Sequence, residues 1–500
     1  MITAAEISTG TAPTSAQGAT PDTPCAEYDA MASHWTAIDA LMGGTQGMRA
    51  QGKTYLPKFA AEKEDEWQDR CNNSTLFNAY RQTVRSLSAQ PFRKPVTLEV
   101  NLPELEVLEQ DADRTGRDLT GFARDILVDL LLYGKSHILV DKPDTRGMEG
   151  TPTLADADRY GIRPYFVKPA VSSVIAWSGQ TISGVDQLSQ VRIRESRIEQ
   201  SGAWGQRVVS RVRVLYPDRT DIYELALSGD QRSTWVLVDS IPQALGCIPM
   251  VTIYGNRTGF LTALPPLEDL ADMNVKHWQT QSDQDSILHF ARVYLLAFLG
   301  FEEKQVQVVQ LGNARGIVSN NPLAKVQVVE HTGNAIKAGT DDLARKEKHM
   351  EAMGAEMLMP REGNVLATVR AIDHVEAISD LQAFCRNAET GLQEAFRLAG
   401  QWIGRQDAEA QVDIYQDFGM GLVADKSLVE LRADYMARAI TLRTYLLERQ
   451  RYGLYSDSLD VDAEIAALQT ENPFPAVVTD DESTGEGEAD ETDAVDEGGA

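Results

Sequence analysis

The strongest chemical string in the chain is Gly134-Lys135-Ser136, which matches the closing residues of a phosphate-binding loop. A complete loop of that kind needs a second glycine five residues earlier, so that backbone amides can wrap a phosphate. Asp129 stands there instead. The loop must also run from a strand into a helix whose N-terminus faces the phosphate. Here a helical pattern over residues 118–133 precedes the string, and the strand-like His137-Ile138-Leu139-Val140-Asp141 follows it. The order is reversed, and the string reads as a helix stop leading into a strand.

The other candidates for chemistry are also incomplete. His277 and His289 lie in one helical pattern with Asp269, Asp272, Asp283 and Asp285. Twelve residues separate the histidines, too far for one helical face to chelate a metal, and the carboxylates point several ways. That face is expected to be solvated or to line a channel. HExxH and GxSxG motifs are absent. Cys25, Cys71, Cys247 and Cys385 are far apart without a CxxC pair, and read as isolated reduced thiols. Glu62-Lys63-Glu64-Asp65-Glu66 is helix surface. The sequence therefore points to no catalytic residue, cofactor or metal.

Arg192, Arg194, Arg197, Arg207, Arg211, Arg213 and Arg219 cluster in a strand-rich region. On strands, Arg192 with Arg194 and Arg211 with Arg213 share a face. Three uses stay open: an exposed sheet face, ion pairs with a neighbouring subunit, or direct contact with phosphate.

The elements that would position such residues alternate in kind. Residues 1–26 are rich in Thr, Ala, Ser, Gly and Pro, and are expected to be disordered. Helical periodicity marks residues 27–41, 62–90 and 118–133. Short strands with turn residues fill 163–238. A helix is expected from Pro265 to about Phe290, a β-rich stretch to about Lys337, then a helix to Leu358. Residues 371–403 give one continuous helical pattern, which at 1.5 Å per residue spans about 50 Å. Ser427 with Glu430 has capping-box spacing and opens a helix to about Tyr452; residues 460–469 form a last short helix. The fold class is α+β.

The net charge of −27 is unevenly placed. Residues 480–500 hold ten acids and no base, so without them the charge is −17. An acidic chain is poorly suited to tight DNA binding by counterion release, yet can form a surface that DNA passes. The N-terminus lacks a signal-peptide pattern and no run of eighteen apolar residues occurs, so no membrane partner is expected.

Several strings then follow in a familiar order. Tyr55-Leu56-Pro57-Lys58 precedes an acidic helix with Trp67 and Arg70. Leu131-Leu132-Tyr133-Gly134-Lys135 runs into the strand at 137–141, and Arg163-Pro164-Tyr165-Phe166 comes next. Pro265-Pro266-Leu267-Glu268-Asp269-Leu270-Ala271 opens the helix of His277. Met353-Gly354-Ala355, Ala399-Gly400-Gln401-Trp402-Ile403-Gly404 and Tyr452-Gly453 complete the series. In this order, over residues 30–470, the chain resembles the portal proteins of tailed bacteriophages.

The resemblance implies a portal fold assembled as a ring, typically of twelve subunits. Its parts would be a disordered N-terminus (1–29), an α+β wing (30–264), a stem helix (265–292) and a clip (293–338). A second stem helix (339–358), a tunnel loop (359–370), a long wing helix (371–404), a crown (405–475) and a disordered acidic tail (476–500) would follow. The ring would sit at one capsid vertex of the virion, after assembly in the host bacterial cytoplasm. Double-stranded DNA would pass through it without sequence-specific contact during packaging and ejection. Terminase, the major capsid protein and scaffold, and head-completion or tail adaptor proteins would be its partners. Met359, Pro360, Arg361, Glu362, Gly363 and Asn364 would face DNA in the tunnel loop, with Arg361 placed for transient phosphate contact or an intersubunit salt bridge. Charges on the second stem helix would pair across subunits. The alternatives are another virion structural or adaptor protein, and a soluble enzyme with an unrecognised site.

Overall fold

The computed structural model describes residues 19–143, 145, 160–182, 184–227, 233–291, 295–299, 307–311, 314–318, 323, 325–329, 333–356, 379–416, 431–451, 455 and 459–471. The chain divides into two compact units, Met1–Gly419 and Met420–Ala500.

At the centre of the first unit lies a helix, α6 (Leu119–Tyr133), apolar on almost every side: Leu119, Phe122, Ala123, Ile126, Leu127, Leu130 and Leu131 are all buried. Such a helix needs cover all round. That cover comes from α4 (Ala79–Ala89), α5 (Pro103–Gln110), α9 (Asp380–Trp402) and the strand β2 (Lys135–Asp141). Asp118 caps its start by accepting from the Gly121 amide. Gly134 ends it with φ 72°, its amide donating to Leu130 O at 3.0 Å. A Cβ there would lie 2.1 Å from Leu264 O, so glycine is required both by the left-handed backbone and by the close approach.

β2 is the middle strand of a three-stranded antiparallel sheet, between β3 (Tyr165–Val167) and β9 (Met250–Tyr254). Phe166 packs against Phe122 of α6 and edge-on against Phe396 of α9. α9 carries the stripe read from the sequence: Leu381, Cys385, Ala388, Leu392, Phe396 and Ala399 are buried at three- and four-residue spacing. Burying each large apolar side chain of that stripe stabilises by about 1.5–3 kcal/mol.

A second sheet is an antiparallel meander of β4 (Val174–Ile182), β5 (Val185–Ser201), β6 (Gly205–Leu215), β7 (Arg219–Leu227) and β8 (Ser233–Pro242), in that spatial order. The strand reading of residues 163–238 is matched. Further along, β12 (Leu295–Leu299) pairs with β15 (Lys325–Val329), and β13 (Gln307–Leu311) with β14 (Ala314–Val318), in nested antiparallel fashion. In the second unit, α10 (Leu442–Arg451) and α11 (Val461–Glu471) pair through Arg443 and Asp462 at 2.8 Å. No helix among the described residues is long and apolar enough to cross a membrane.

Several expectations are corrected. Disorder through residue 29 does not hold over 19–29: α1 (Ala26–Met42) begins there, and the Cys25 amide donates to Ile175 O at 3.0 Å. The single helix 62–90 is two, α3 (Glu64–Asn73) and α4, broken where Asn78 caps α4. The 50 Å helix shortens, because Ser379 is extended (ψ 157°) and its hydroxyl and Gln382 form a capping box that starts α9 at Asp380. That leaves 23 residues. The helix expected to start at 339 is α8 (Asn334–Glu356), which begins five residues earlier. The expected boundary at 405 is also displaced. β16 (Ala410–Asp413) pairs with β1 (Thr97–Val100), neither α5 nor β1 having been anticipated, so residues 405–416 belong to the first unit. The helix from Ser427 to Tyr452 is interrupted at Arg438 (φ 59°), and Thr441 caps a new start for α10.

Candidate functional site

Two helices, α7 (Glu268–Ala291) and α8, flank the strands β12–β15 in the chain. Their contacts run in opposite senses: His277 meets Glu347, Thr280 meets Lys346, and Gln284 meets Ile336 and Thr340. The helices are therefore antiparallel, and the strands sit at their shared end.

α7 has no clean apolar stripe because its buried side is partly polar. Leu270, Ala271 and Trp278 are buried, and so are Asn274, His277, Ser282 and Gln284. Buried polar groups need partners, and most of these find them in other elements. Asn274 accepts from the Tyr80 amide at 2.9 Å and donates to Phe77 O at 2.8 Å, clamping the start of α4. Ser282 accepts from the Ser74 hydroxyl at 2.9 Å. Gln284 donates to Ile336 O at 2.9 Å near the beginning of α8. Gly339 lies opposite: a Cβ there would meet the Gln284 side-chain oxygen at 2.0 Å and push that amide aside.

Arg70 of α3 ties this seam to the body. Its guanidinium pairs with both oxygens of Glu62 at 2.7 and 2.9 Å, and also donates to Pro57 O at 2.8 Å and to Ser282. Both side chains are about nine-tenths buried, at 8% and 9% exposure. The Arg70 hydrogen bonds hold the Glu62 carboxyl below its usual range.

His277 is buried, not channel-lining, which corrects the sequence expectation. Its ring lies against Phe77, and burial pushes its pKa down despite Glu347 at 3.3 Å. Beside it, α4 and α8 border a groove of ≈ 540 Å³ lined by Phe77, Thr83, Glu347, Lys348, Met350 and Glu351 among others. No group of three metal-binding side chains occurs among the described residues.

α8 buries little of itself: Leu343, Met350 and Gly354 are the buried residues among its 23. Within the helix, Asp342 takes both Arg345 and Lys346. Met359, Pro360, Arg361, Glu362, Gly363 and Asn364 lie outside the described residues.

The remaining candidates resolve within the chain. Lys135, Ser136 and His137 are buried on β2. Ser136 donates to Asp129, which also pairs with Lys168 at 2.6 Å. Lys135 Nζ donates to Leu261 O at 2.8 Å and lies 4.8 Å from the ring centre of Trp177; burial lowers its pKa to about 7. A phosphate could not reach it without opening the core. Each of the seven strand arginines also has an acceptor in its own chain. Arg192 donates to Thr20 O and Pro21 O, and Arg194 pairs with Asp22. Arg197 and Arg207 share Glu199, Arg211 takes Glu224, and Arg213 takes Asp141 and Glu195. Arg219 takes Asp218 and Asp221. All seven are thus met by acceptors of their own chain, a use outside the three that the sequence left open.

Sequence reading missed the buried seam of Asn274, Ser282 and Gln284. The signal was present: with Leu270 and Trp278, Asn274 keeps a four-residue spacing that apolar counting overlooks.

A family model described as a domain of unknown function, DUF4055, matches residues 266–403, which run from just before α7 to just after α9. No curated protein matches the chain. Among solved structures, the chain is similar to a chain of the virion of a native gene transfer agent particle, at 11% identity and TM-score 0.36, over 74% of this chain and 88% of that one. It is also similar to chains of the particle's neck. The native neck computed with C12 symmetry gives 9% identity and TM-score 0.33, over 73% and 88%. The empty-particle neck computed with C6 symmetry gives 11% and 0.32, over 74% and 88%.

Proposed function

We propose that this chain is the portal protein of a tailed phage or phage-like particle, a ring subunit that forms the DNA channel at one capsid vertex. The observation that carries the reading is the order and geometry of 268–402. An antiparallel helix pair bears a small β segment at its shared end and is anchored on an α+β body by a polar seam. A capped, apolar helix then crosses that body's core. This is the arrangement expected of stem, clip and long wing helix.

The physical chemistry suits that role. A stem helix in a ring faces neighbours on its sides and a channel inward, so it cannot rely on one apolar stripe. α8 has that character, with few buried residues and open faces carrying Asp341, Arg345, Lys348 and Glu351. The chain's strong negative charge offers passing DNA few sites on which to stall. Residues 359–370, between α8 and α9 in the chain, would form the tunnel loop, with Arg361 and Arg370 its two arginines. Terminase would supply the ATP chemistry; capsid, scaffold and head-completion proteins would dock outside the bore.

Electron microscopy and mass measurement of the purified chain test this. Rings near twelve times 55.0 kDa, about 660 kDa, are expected. A strictly monomeric species at micromolar concentration across salt conditions would refute the reading. Deleting residues 359–364 is expected to spare the ring and impair DNA packaging.

A further inference from the structure

The meander contains a feature that its own chain leaves uncovered. β5 and β6 pair continuously from Val191↔Leu215 to Ser201↔Gly205. The ladder from β4 to β5 begins at Ile193, and that from β6 to β7 stops at Arg211. Residues 194–201 and 205–210 therefore pair only with each other, as a two-stranded ribbon about 25 Å long at strand rise, with Val209 buried and the ladder of β7 and β8 running on beside it to Leu227↔Ser233. Among the described residues, neither outer edge of the ribbon has a ladder partner. A two-stranded ribbon is marginally stable alone, and unpaired edges invite another chain.

This ribbon is apolar where a partner would meet it. Ile198 and Val208 face each other across the strands at 64% and 66% exposure, and Trp204 at the turn is 98% exposed. Tryptophan at such a position is the side chain that most often anchors an interface. The same chain holds a complementary surface. β8 is an edge strand, pairing only with β7 among the described residues. It exposes Val236, Leu237 and Val238 by nearly half each. The opposite edge is unsuitable: β4 is met at Ile175 by the Cys25 amide and turns polar over Ser178, Gly179, Gln180 and Thr181. Charge favours the same partner. Arg197 and Arg207 share the single Glu199, leaving the ribbon one positive charge in excess on a chain of net −27.

We propose that the β5–β6 ribbon is an assembly arm that docks on the β8 edge of a second copy of this chain, with Trp204 as its anchor. The contact is head to tail, ribbon on one copy and edge strand on the next, so it propagates and closes only as a ring. The inference rests on the portal reading for the closure and specifies which surfaces make it.

The test uses the full chain, as an equal mixture of 14N- and 15N-labelled copies with a benzophenone amino acid in place of Trp204. Illumination is expected to join position 204 to residues 233–242 of another copy, in mixed-isotope peptides, and to give a ladder of products beyond the dimer. The exposed substitution V208D is expected to lower the assembled fraction at least tenfold while leaving the circular dichroism spectrum unchanged. V236D on β8 is expected to do the same. Rings that form with cross-links absent, confined to one copy, or directed elsewhere would overturn the arm and leave the portal reading standing. The ribbon would then serve a different protein. A ladder that stops at the dimer would also overturn it. Absence of both rings and cross-links would overturn both readings.

Discussion

Replacing Lys135 by methionine is expected to flatten the alkaline arm of this protein's stability curve. Lys135 has 0% exposure, one hydrogen-bond acceptor in Leu261 O, and the Trp177 and Trp35 rings at 4.8 and 5.9 Å. Burial lowers its pKa from the ordinary 10.5 to about 7. The sign follows from proton counts. Between those two values the unfolded chain binds a proton that the folded chain does not, so stability rises with pH across the window. The penalty is absent above the unfolded value, builds as pH falls toward 7, and is constant below it. The slope reaches about 1.4 kcal/mol per pH unit, and the change from pH 7 to 9.5 is about 3 kcal/mol. Methionine fills a similar volume without the charge. It leaves Leu261 O without its donor, a cost of about 1–3 kcal/mol that does not depend on pH. The slope is therefore the clean readout. Nearby His137 stays neutral throughout, because burial and Lys135 push its pKa well down. Burial raises the thiol pKa of Cys25, whose thiolate interacts with Lys135. Urea unfolding at intervals from pH 7 to 9.5, followed by tryptophan fluorescence, measures it. A wild-type-minus-variant difference that is flat within about 0.5 kcal/mol would refute the reasoning.

Two further substitutions probe the seam and the helix stop. Arg70→Ala strands the buried Glu62 carboxylate and frees Ser282, and is expected to cost about 3–5 kcal/mol in chemical denaturation. Because Glu62 has a lowered pKa in the folded chain, its contribution is present above the ordinary carboxylate range and fades as pH falls through the folded value. The acid limb of wild type is therefore expected to be steeper than that of Glu62→Gln. Gly134→Ala is expected to cost well over 1 kcal/mol, seen as a lower Tm, since it combines a left-handed backbone with a Cβ 2.1 Å from Leu264 O. An unchanged Tm would mean that the turn relaxes freely.

What could be read from sequence alone was what local chemistry decides. The spacing of Leu381, Cys385, Ala388, Leu392, Phe396 and Ala399 defines one buried face of α9 without reference to any other segment. Gly134 marks the end of α6 because only glycine is comfortable at φ 72°. The meander was legible from alternation and turn residues, and the broken phosphate-loop pattern was enough to reject that chemistry. What escaped was decided by partners distant in the chain. Asn274 and Gln284 are polar by type, and only the arrival of α4 and α8 makes burying them favourable. Lys135 would ordinarily sit in solvent, yet the aromatic rings of α1 and β4 and a carbonyl 126 residues away enclose it. The strand arginines carried no mark of what would meet them; strand register sets Glu199 opposite Arg207 and Glu224 opposite Arg211, while residues 20–22 and Asp141, distant in the chain, meet Arg192, Arg194 and Arg213. Local steric and periodic rules are written residue by residue, whereas the cost of burying a polar group is set by what folding brings beside it.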